Sequence, residues 1–207
     1  IAAKLGVQRF AKYQKLFGMG QKTGIDLPGE AGTIMHQKKD IGPVELATMS
    51  FGQSIQISPI QFVTAAATVI NGGNKITPHI GMKVTDADNQ VTTNLEYPVT
   101  EQAVSSETSA LMRDLLESVV AEGGGSKAQV EGYRIGGKTA TSEKYPRGTG
   151  KYISSFIGFA PAYDPQIMAF VMIDEPMGIY YGGTIAAPVV QEVFSNILPY
   201  LGIQKEE

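Results

Sequence analysis

Three strand-like segments follow one another in the second half of the chain and most constrain how it can fold. Residues 133–142, 152–160 and 167–173 have the pattern of strands, and turn-rich stretches separate them. The last segment, I-M-A-F-V-M-I, is apolar on both faces, which predicts a central strand. Because helical patterns precede and follow these strands, the order predicts an α+β fold in which an antiparallel sheet is covered by helices.

The first two predicted helices have clear end signals. Apolar residues at helical spacing begin at the N-terminus and stop at Gly18, a residue that commonly ends a helix. The second helix has Ser58 as its N-cap and Pro59 at its first position, and Gln61 is placed to complete a capping box. The glycine-containing segment 71–73 predicts its end.

Two further helices flank the predicted strands. One begins near Ser105 or Ser106 and ends at the glycines 123–125. The other begins near Pro188, and Pro199 is expected to bend or end it. Its predicted buried stripe consists of Val190, Val193, Phe194, Ile197, Leu198 and Leu201.

Composition excludes several classes of function. The 207 residues, 43% hydrophobic and 18% charged, suit one globular domain. A net charge of -3 with dispersed basic residues makes nucleic-acid binding unexpected. Cysteine is absent, and His36 and His79 are far apart, so neither a metal site nor a cofactor is predicted. No apolar run reaches the ~20 residues of a membrane span.

One motif supports two interpretations. Residues 132–139, G-Y-R-I-G-G-K-T, satisfy the phosphate-loop pattern G-x-x-x-x-G-K-[ST] of nucleotide hydrolases. That loop requires an apolar strand before it and a helix after it, whereas segment 122–129 is glycine-rich and segment 143–148 is a turn. Nucleotide hydrolysis is therefore a remote alternative. The other interpretation places K-T-A-T-S, residues 138–142, on a strand at the edge of an acyl-transfer site.

Blocks outside this motif favour the acyl-transfer interpretation. In chain order they are T-G-I-D-L-P-G-E (23–30), G-Q (52–53), S-P-I-Q (58–61), N-G-G (71–73), G-G-K (136–138), F-I-G-F-A-P (156–161), D-E-P (174–176), Y-G-G (181–183) and A-A-P-V-V (186–190). In this order and spacing, the chain resembles the transpeptidase domain of class B penicillin-binding proteins over nearly its whole length. K-T-A-T-S corresponds to that family's lysine-threonine-glycine motif. The resemblance implies part of the fold shared by penicillin-binding proteins and serine β-lactamases.

The resemblance also implies an activity and its site residues. The activity is that of a peptidoglycan D,D-transpeptidase, which cross-links cell-wall stem peptides by serine acyl transfer and is acylated by β-lactams. Lys138 is expected to supply positive charge to the polar network of the site and to help hold the substrate carboxylate, which Thr139 and Thr141 would also contact. The backbone N–H of Thr141 would be one of two oxyanion-hole donors.

Two features complicate these assignments. Ala140 stands where the family has glycine, so its methyl group is expected to narrow or tilt the substrate-binding surface and to change β-lactam affinity. Lys138 and Thr141 fall on opposite faces of a regular strand, so a twist, a bulge or use of the Thr141 backbone is required.

The family's other two motifs are absent from the sequence. No serine is followed three positions later by lysine, and no S-x-N occurs. Residues 1–207 are therefore expected to be the C-terminal portion of a single transpeptidase domain that begins at a truncation or cleavage point. The nucleophile would lie upstream, and the isolated chain would be inactive. A non-catalytic or β-lactam-sensing relative is the alternative. Carboxypeptidase activity differs from transpeptidase activity only in whether water or an amine deacylates the enzyme, so these residues do not distinguish the two.

Partners and location follow from the resemblance alone. The upstream part of the same protein, the peptidoglycan stem peptide and β-lactams are the expected partners, with cell-wall synthesis or division proteins as further candidates. The expected location is the extracytoplasmic face of a bacterial cell membrane, with the anchor outside this chain. Near the motif strand, Tyr180 and Tyr181 could wall a substrate groove, although such tyrosines more often pack over a loop. The polar segment 204–207 is compatible with a linker or a frayed end.

Overall fold

The computed structural model describes residues 1–97, 99 and 101–206, so Glu207, the last residue of the polar segment interpreted as a linker or a frayed end, lies outside the described residues. The chain forms two compact units, Ile1–Ser106 and Glu107–Glu207. Both units combine helices with antiparallel strands, which confirms the predicted α+β class. No helix in the described part of the chain is both long and apolar enough to span a membrane.

The first unit is built from helices and three small antiparallel ribbons. Its elements are α1 (Ala2–Leu16), β1 (Ile34–Met35), α2 (Pro43–Met49), β2 (Ile55–Gln56), α3 (Pro59–Ile70), β3 (Asn74–Lys75), β4 (Lys83–Thr85), β5 (Val91–Asn94) and β6 (Glu101–Gln102). The ribbons pair β1 with β2, β3 with β6 and β4 with β5. Buried Ile41, Leu46 and Met49 pack against Val7 and Phe10 of α1, so the apolar face of α1 is turned inward.

The predicted ends of α1 and α3 are confirmed. Ser58 Oγ accepts the backbone N–H of Gln61 at 3.2 Å, and α3 ends just before residues 71–73. The capping box is only half formed, because the Gln61 side chain bonds to the loop after α1 and to Thr33 instead of to the Ser58 backbone. Its amide nitrogen donates to the carbonyls of Gly18, at 3.1 Å, and Gln21, and its oxygen accepts from the Thr33 hydroxyl. Gln61 is 3% exposed and fastens the loop after α1 to α3.

Asp26 ties the turn-rich segment 23–30 to residues 80, 81 and 97. The Asp26 carboxylate accepts the backbone N–H groups of Ile80 at 2.8 Å and Gly81 at 2.7 Å, and the Tyr97 hydroxyl at 3.2 Å. These hydrogen bonds lower the pKa of Asp26, and the one from Gly81 has the largest effect. The His79 ring stacks on Tyr97 with a 3.7 Å centroid separation, consistent with the predicted surface role of this histidine.

The second unit contains the three consecutive strands. Its elements are α4 (Ser106–Ala121, which starts at the last residue of the first unit), β7 (Gly136–Glu143), β8 (Tyr152–Ala160), β9 (Ile167–Asp174), α5 (Gly182–Ile185) and α6 (Ala187–Tyr200). The predicted bounds of α4 and β8 are confirmed. β7 begins three residues later than expected, because Val130 and Tyr133 form an isolated bridge around Gly132, whose φ is +81°.

The strand order is β7-β8-β9, so β8 is central and the prediction of a central strand at 167–173 was wrong for the described residues. Every residue from Ser154 to Ala160 is buried. This burial is not evident from the sequence, because serines and a glycine interrupt the apolar pattern of β8. Met172 on β9 is 47% exposed.

Helix α6 covers one face of this sheet. Phe156 of β8 and three residues of α6, Val190, Phe194 and Leu198, are fully buried in one cluster. Leu201, predicted in the buried stripe, is 51% exposed, because α6 ends at Tyr200, one residue beyond Pro199.

Candidate functional site

Strand β7 carries all the predicted site residues on a regular ladder. It pairs with β8 without a register shift, from Gly136 opposite Phe159 to Glu143 opposite Tyr152. β7 therefore has no bulge, and Lys138 lies on the opposite face from the threonines, as the alternation predicts. The phosphate-loop interpretation is wrong, because its lysine lies within a strand that is followed by another strand rather than by a helix.

The backbone of Thr141 points away from β8. Just beyond β7, the Lys144 N–H donates to the Lys151 carbonyl at 2.8 Å, which marks a hydrogen-bonded pair. Because such pairs alternate along antiparallel strands, the N–H and C=O groups of Thr139 and Thr141 face the outer edge of β7. No other strand pairs with that edge in the described residues. A group lying beside it could therefore accept the Thr141 N–H.

Lys138 reaches the same edge from the other face. Its Nζ atom donates to the Thr139 carbonyl at 2.9 Å and lies 3.4 Å from Thr139 Oγ1. The side chain is exposed, as are those of Ala140 and Thr141, whereas Thr139 is half-buried. The structure thus brings Lys138 and Thr139 together, places Thr139 and Thr141 on one face, and leaves the Ala140 methyl on the Lys138 face.

A short segment after β9, residues 180–183, fixes the side chain of Thr141. Thr141 Oγ1 accepts the Gly182 N–H at 3.1 Å. Ser154, directly opposite Thr141 on β8, donates from its hydroxyl to the carbonyl of Tyr180. A Cβ at Gly182 would lie 2.3 Å from the Ser155 carbonyl oxygen and 2.4 Å from that of Ala140. Only glycine allows this approach, so the Y-G-G block at residues 181–183 is the sequence signal for this contact.

Tyr180 and Tyr181 were predicted either to wall a substrate groove or to pack over a loop. Their main ring contacts are with each other and with Tyr152. The rings of Tyr152 and Tyr180 stack at 4.0 Å, and those of Tyr180 and Tyr181 lie 4.7 Å apart at 36°. The pKa of Tyr181 is raised, mainly by its hydrogen bond with Tyr180. Tyr180 is half-buried, which matches packing over a loop, whereas Tyr181 is 58% exposed beside Gly182.

The turn between β7 and β8 is tied to the end of β9. Lys144 Nζ lies 2.8 Å from both Asp174 and Glu175, and Lys151 binds Glu175 at 2.9 Å. Hydrogen bonds to Asp174 and Glu175 raise the pKa of Lys144, and those from Lys144 and Lys151 lower the pKa of Glu175. Arg147 lies over the Tyr145 ring at 5.3 Å. Lys144 thus has carboxylate partners within the fold.

Cation-binding side chains do not gather here. In the ranges that the structure describes, no group of three or more histidine, aspartate or glutamate side chains is placed to hold a metal ion.

Comparison with known proteins identifies the family. Residues 1–195 match the family described as the penicillin binding protein transpeptidase domain. Stage V sporulation protein D of Bacillus subtilis is 46% identical over 99% of this chain and 32% of its own length. Peptidoglycan D,D-transpeptidase FtsI of Escherichia coli is 33% identical over 92% of this chain and 31% of its own length.

A solved structure agrees with these relatives. The transpeptidase domain of Burkholderia pseudomallei penicillin-binding protein 3 is 30% identical, has a TM-score of 0.85, and is matched over 100% of this chain and 61% of that one. The chain spans about a third of the length of the curated relatives it matches. As its motifs predicted, the chain belongs to the transpeptidase domain family of the class B penicillin-binding proteins.

Proposed function

We propose that this chain forms one wall of the acyl-transfer site of a peptidoglycan D,D-transpeptidase, the activity for which the Escherichia coli relative is named. The observation that carries the proposal is the outer edge of β7, with which no other strand pairs in the described residues. There the Thr141 N–H faces outward, and the Lys138 ammonium reaches the neighbouring Thr139 carbonyl at 2.9 Å. The substrate would be a cell-wall stem peptide, and β-lactams would acylate the same site without any cofactor.

Each group on this edge has a distinct chemical task. The Thr141 N–H would donate to the oxyanion that forms during acyl transfer, an interaction worth about 3 kcal/mol in other enzymes. Because Thr139 and Thr141 share a face, both hydroxyls can contact one substrate carboxylate. Lys138 would add positive charge to the polar network that serves the nucleophile and the leaving group. An extended peptide could lie along the open edge as an additional strand.

The chain contains no serine in an S-x-x-K motif, so the nucleophile would come from an upstream segment that also carries S-x-N. We propose that residues 1–207 are the C-terminal portion of one transpeptidase domain completed by that segment. The family match extends across both compact units, which supports a single domain. The second edge of β9, unpaired in the described residues and apolar at Met172, is a suitable place for a further strand.

The location and partners of the whole protein are part of the same proposal. Peptidoglycan lies outside the cytoplasmic membrane, so the domain would work at the extracytoplasmic face of a bacterial cell membrane, held by an anchor outside this chain. Cell-wall synthesis or division proteins would be its protein partners.

Labelling with a fluorescent penicillin tests the proposal. The intact protein is compared with its Lys138→Ala variant, with the 207-residue chain alone, and with Lys127→Ala, an exposed lysine of the same unit. We expect covalent label on the parent and K127A, at least tenfold less on K138A, and none on the isolated chain. A folded parent that takes no label would contradict the proposal and favour a non-catalytic relative.

A further inference from the structure

Two hydroxyl groups from neighbouring strands hold the same short segment. Thr141 and Ser154 lie directly opposite each other on β7 and β8, with both side chains on one face. Ser154 donates to the Tyr180 carbonyl, and Thr141 accepts the Gly182 N–H at 3.1 Å. Tyr152, two residues from Ser154 on the same face, stacks on Tyr180. Residues 180–182 are therefore fixed at three points against this face of the sheet.

This arrangement determines the side to which the Thr141 hydroxyl can donate its hydrogen. A hydroxyl has one hydrogen to donate and two lone pairs that accept. Because a lone pair of Thr141 Oγ1 accepts the Gly182 N–H, the hydroxyl hydrogen is left for a partner on the exposed side. That partner must be an acceptor, and a carboxylate is an acceptor only.

We infer that Ser154 is a positioning residue for carboxylate recognition. Its side chain is fully buried, so it acts on the ligand only through residues 180–182 and Thr141. By anchoring the Tyr180 carbonyl, it holds the Gly182 N–H where Thr141 must accept it, and Thr141 then donates to the ligand carboxylate. The inference rests on the proposed function, and it predicts a selective effect on ligands that carry a carboxylate.

The test measures acylation of the intact protein by benzylpenicillin and by benzylpenicillin methyl ester, which lacks the free carboxylate. In Ser154→Ala, we expect the binding constant for the acid to weaken about five- to tenfold, the effect of one misplaced hydrogen-bond donor. The acylation rate constant is expected to stay within about twofold, since the oxyanion donor is a backbone group. Binding of the ester is expected to weaken less than binding of the acid, because a hydrogen bond to a neutral ester oxygen is weaker than one to a charged carboxylate.

Three further variants separate positioning from general damage. Ser155→Ala removes an equally small, buried hydroxyl from the opposite face of β8 and is expected to behave like the parent. Ser154→Cys replaces the hydroxyl with a somewhat larger thiol, a weak donor that leaves no cavity, so it provides the measurement should S154A fail to fold. In a Thr141→Val background, Ser154→Ala is expected to have no additional effect, because the two residues act in series.

The outcomes distinguish this inference from the proposed function. Acylation of the parent with equal losses for acid and ester in S154A would overturn the positioning role and leave the proposed function intact. An additive effect of S154A in the T141V background would overturn it as well. A folded parent that neither ligand acylates would overturn the proposed function, and this inference with it.

Discussion

A single methyl group added at Gly182 should destabilise the segment that packs on the candidate site. Its added Cβ would lie 2.3 Å from the Ser155 carbonyl oxygen, whereas real Cβ atoms stay at least 3.0 Å from other heavy atoms. Both close atoms, on Ser155 and Ala140, are backbone atoms of paired strands, so they cannot rotate away. The segment would have to withdraw by about 0.7 Å, which would stretch the 3.1 Å bond between Gly182 N and Thr141 Oγ1 beyond hydrogen-bonding distance.

The expected loss combines overpacking and this broken bond. Overpacking of a close contact costs ~1–3 kcal/mol and a lost hydrogen bond ~1 kcal/mol, so Gly182→Ala should destabilise the protein by about 3 kcal/mol. For a protein of this size, that lowers Tm by roughly 6–12 °C. Gly182 begins α5, where alanine is otherwise favoured over glycine, so helix propensity cannot account for a decrease.

Thermal unfolding followed by circular dichroism measures this effect. Gly124→Ala is the matched control, because a Cβ there meets nothing within 4 Å and the residue lies in the same unit. G124A should unfold within about 2 °C of the parent. If G182A and G124A unfold at the same temperature, the close approach of residues 180–183 to the sheet is not rigid, and the argument for Thr141 orientation fails with it.

Two other predictions follow from the first unit and from the motif strand. The pKa of Asp26 is lowered from 3.8 in the fold, so its contribution to stability is present above that value and is lost as the pH falls through the folded pKa. Asp26→Asn should therefore lower Tm at neutral pH and flatten the dependence of Tm on pH below about 4, whereas Asp88→Asn, in an exposed turn, should change neither. Ala140→Gly should raise the rate of β-lactam acylation of the intact protein a few-fold, which corresponds to about 1 kcal/mol. Rates that agree within error would remove any role for the methyl group.

Much of the fold could be predicted from local signals. Helix α3 was placed by Ser58 and Pro59, whose cap and fixed φ act within one turn of the chain. The bounds of β8 followed from turn-rich flanks. In contrast, the strand order depends on contacts between distant residues. Among the described strands β9 lies at one side, beside β8, although its apolar residues resemble those of a central strand.

The residues that sequence reasoning missed act through such distant contacts. The Gln61 side chain was assigned to its own helix, but its partners are Gly18, Gln21 and Thr33, up to 43 positions away. Ser154 had no assigned role, since its effect depends on Tyr180, which lies on a different element. Hydrogen bonds of this kind have no fixed spacing, so periodicity cannot reveal them.

Lys138 and Thr141 can serve one site although their side chains lie on opposite faces of β7, because Lys138 Nζ and the Thr141 backbone lie along the same edge of the strand. In an antiparallel ladder, every second residue of an edge strand presents its backbone to the outside, and in β7 these residues include Thr139 and Thr141. Their side chains share one face, while Lys138 on the other face is long enough to reach the Thr139 carbonyl. One regular strand can therefore offer an N–H, two hydroxyls and an ammonium along the same edge. The intervening position, Ala140, bonds its backbone to β8 and contributes only a methyl group on the Lys138 face, which is why alanine in place of the family's glycine should alter affinity rather than abolish the site.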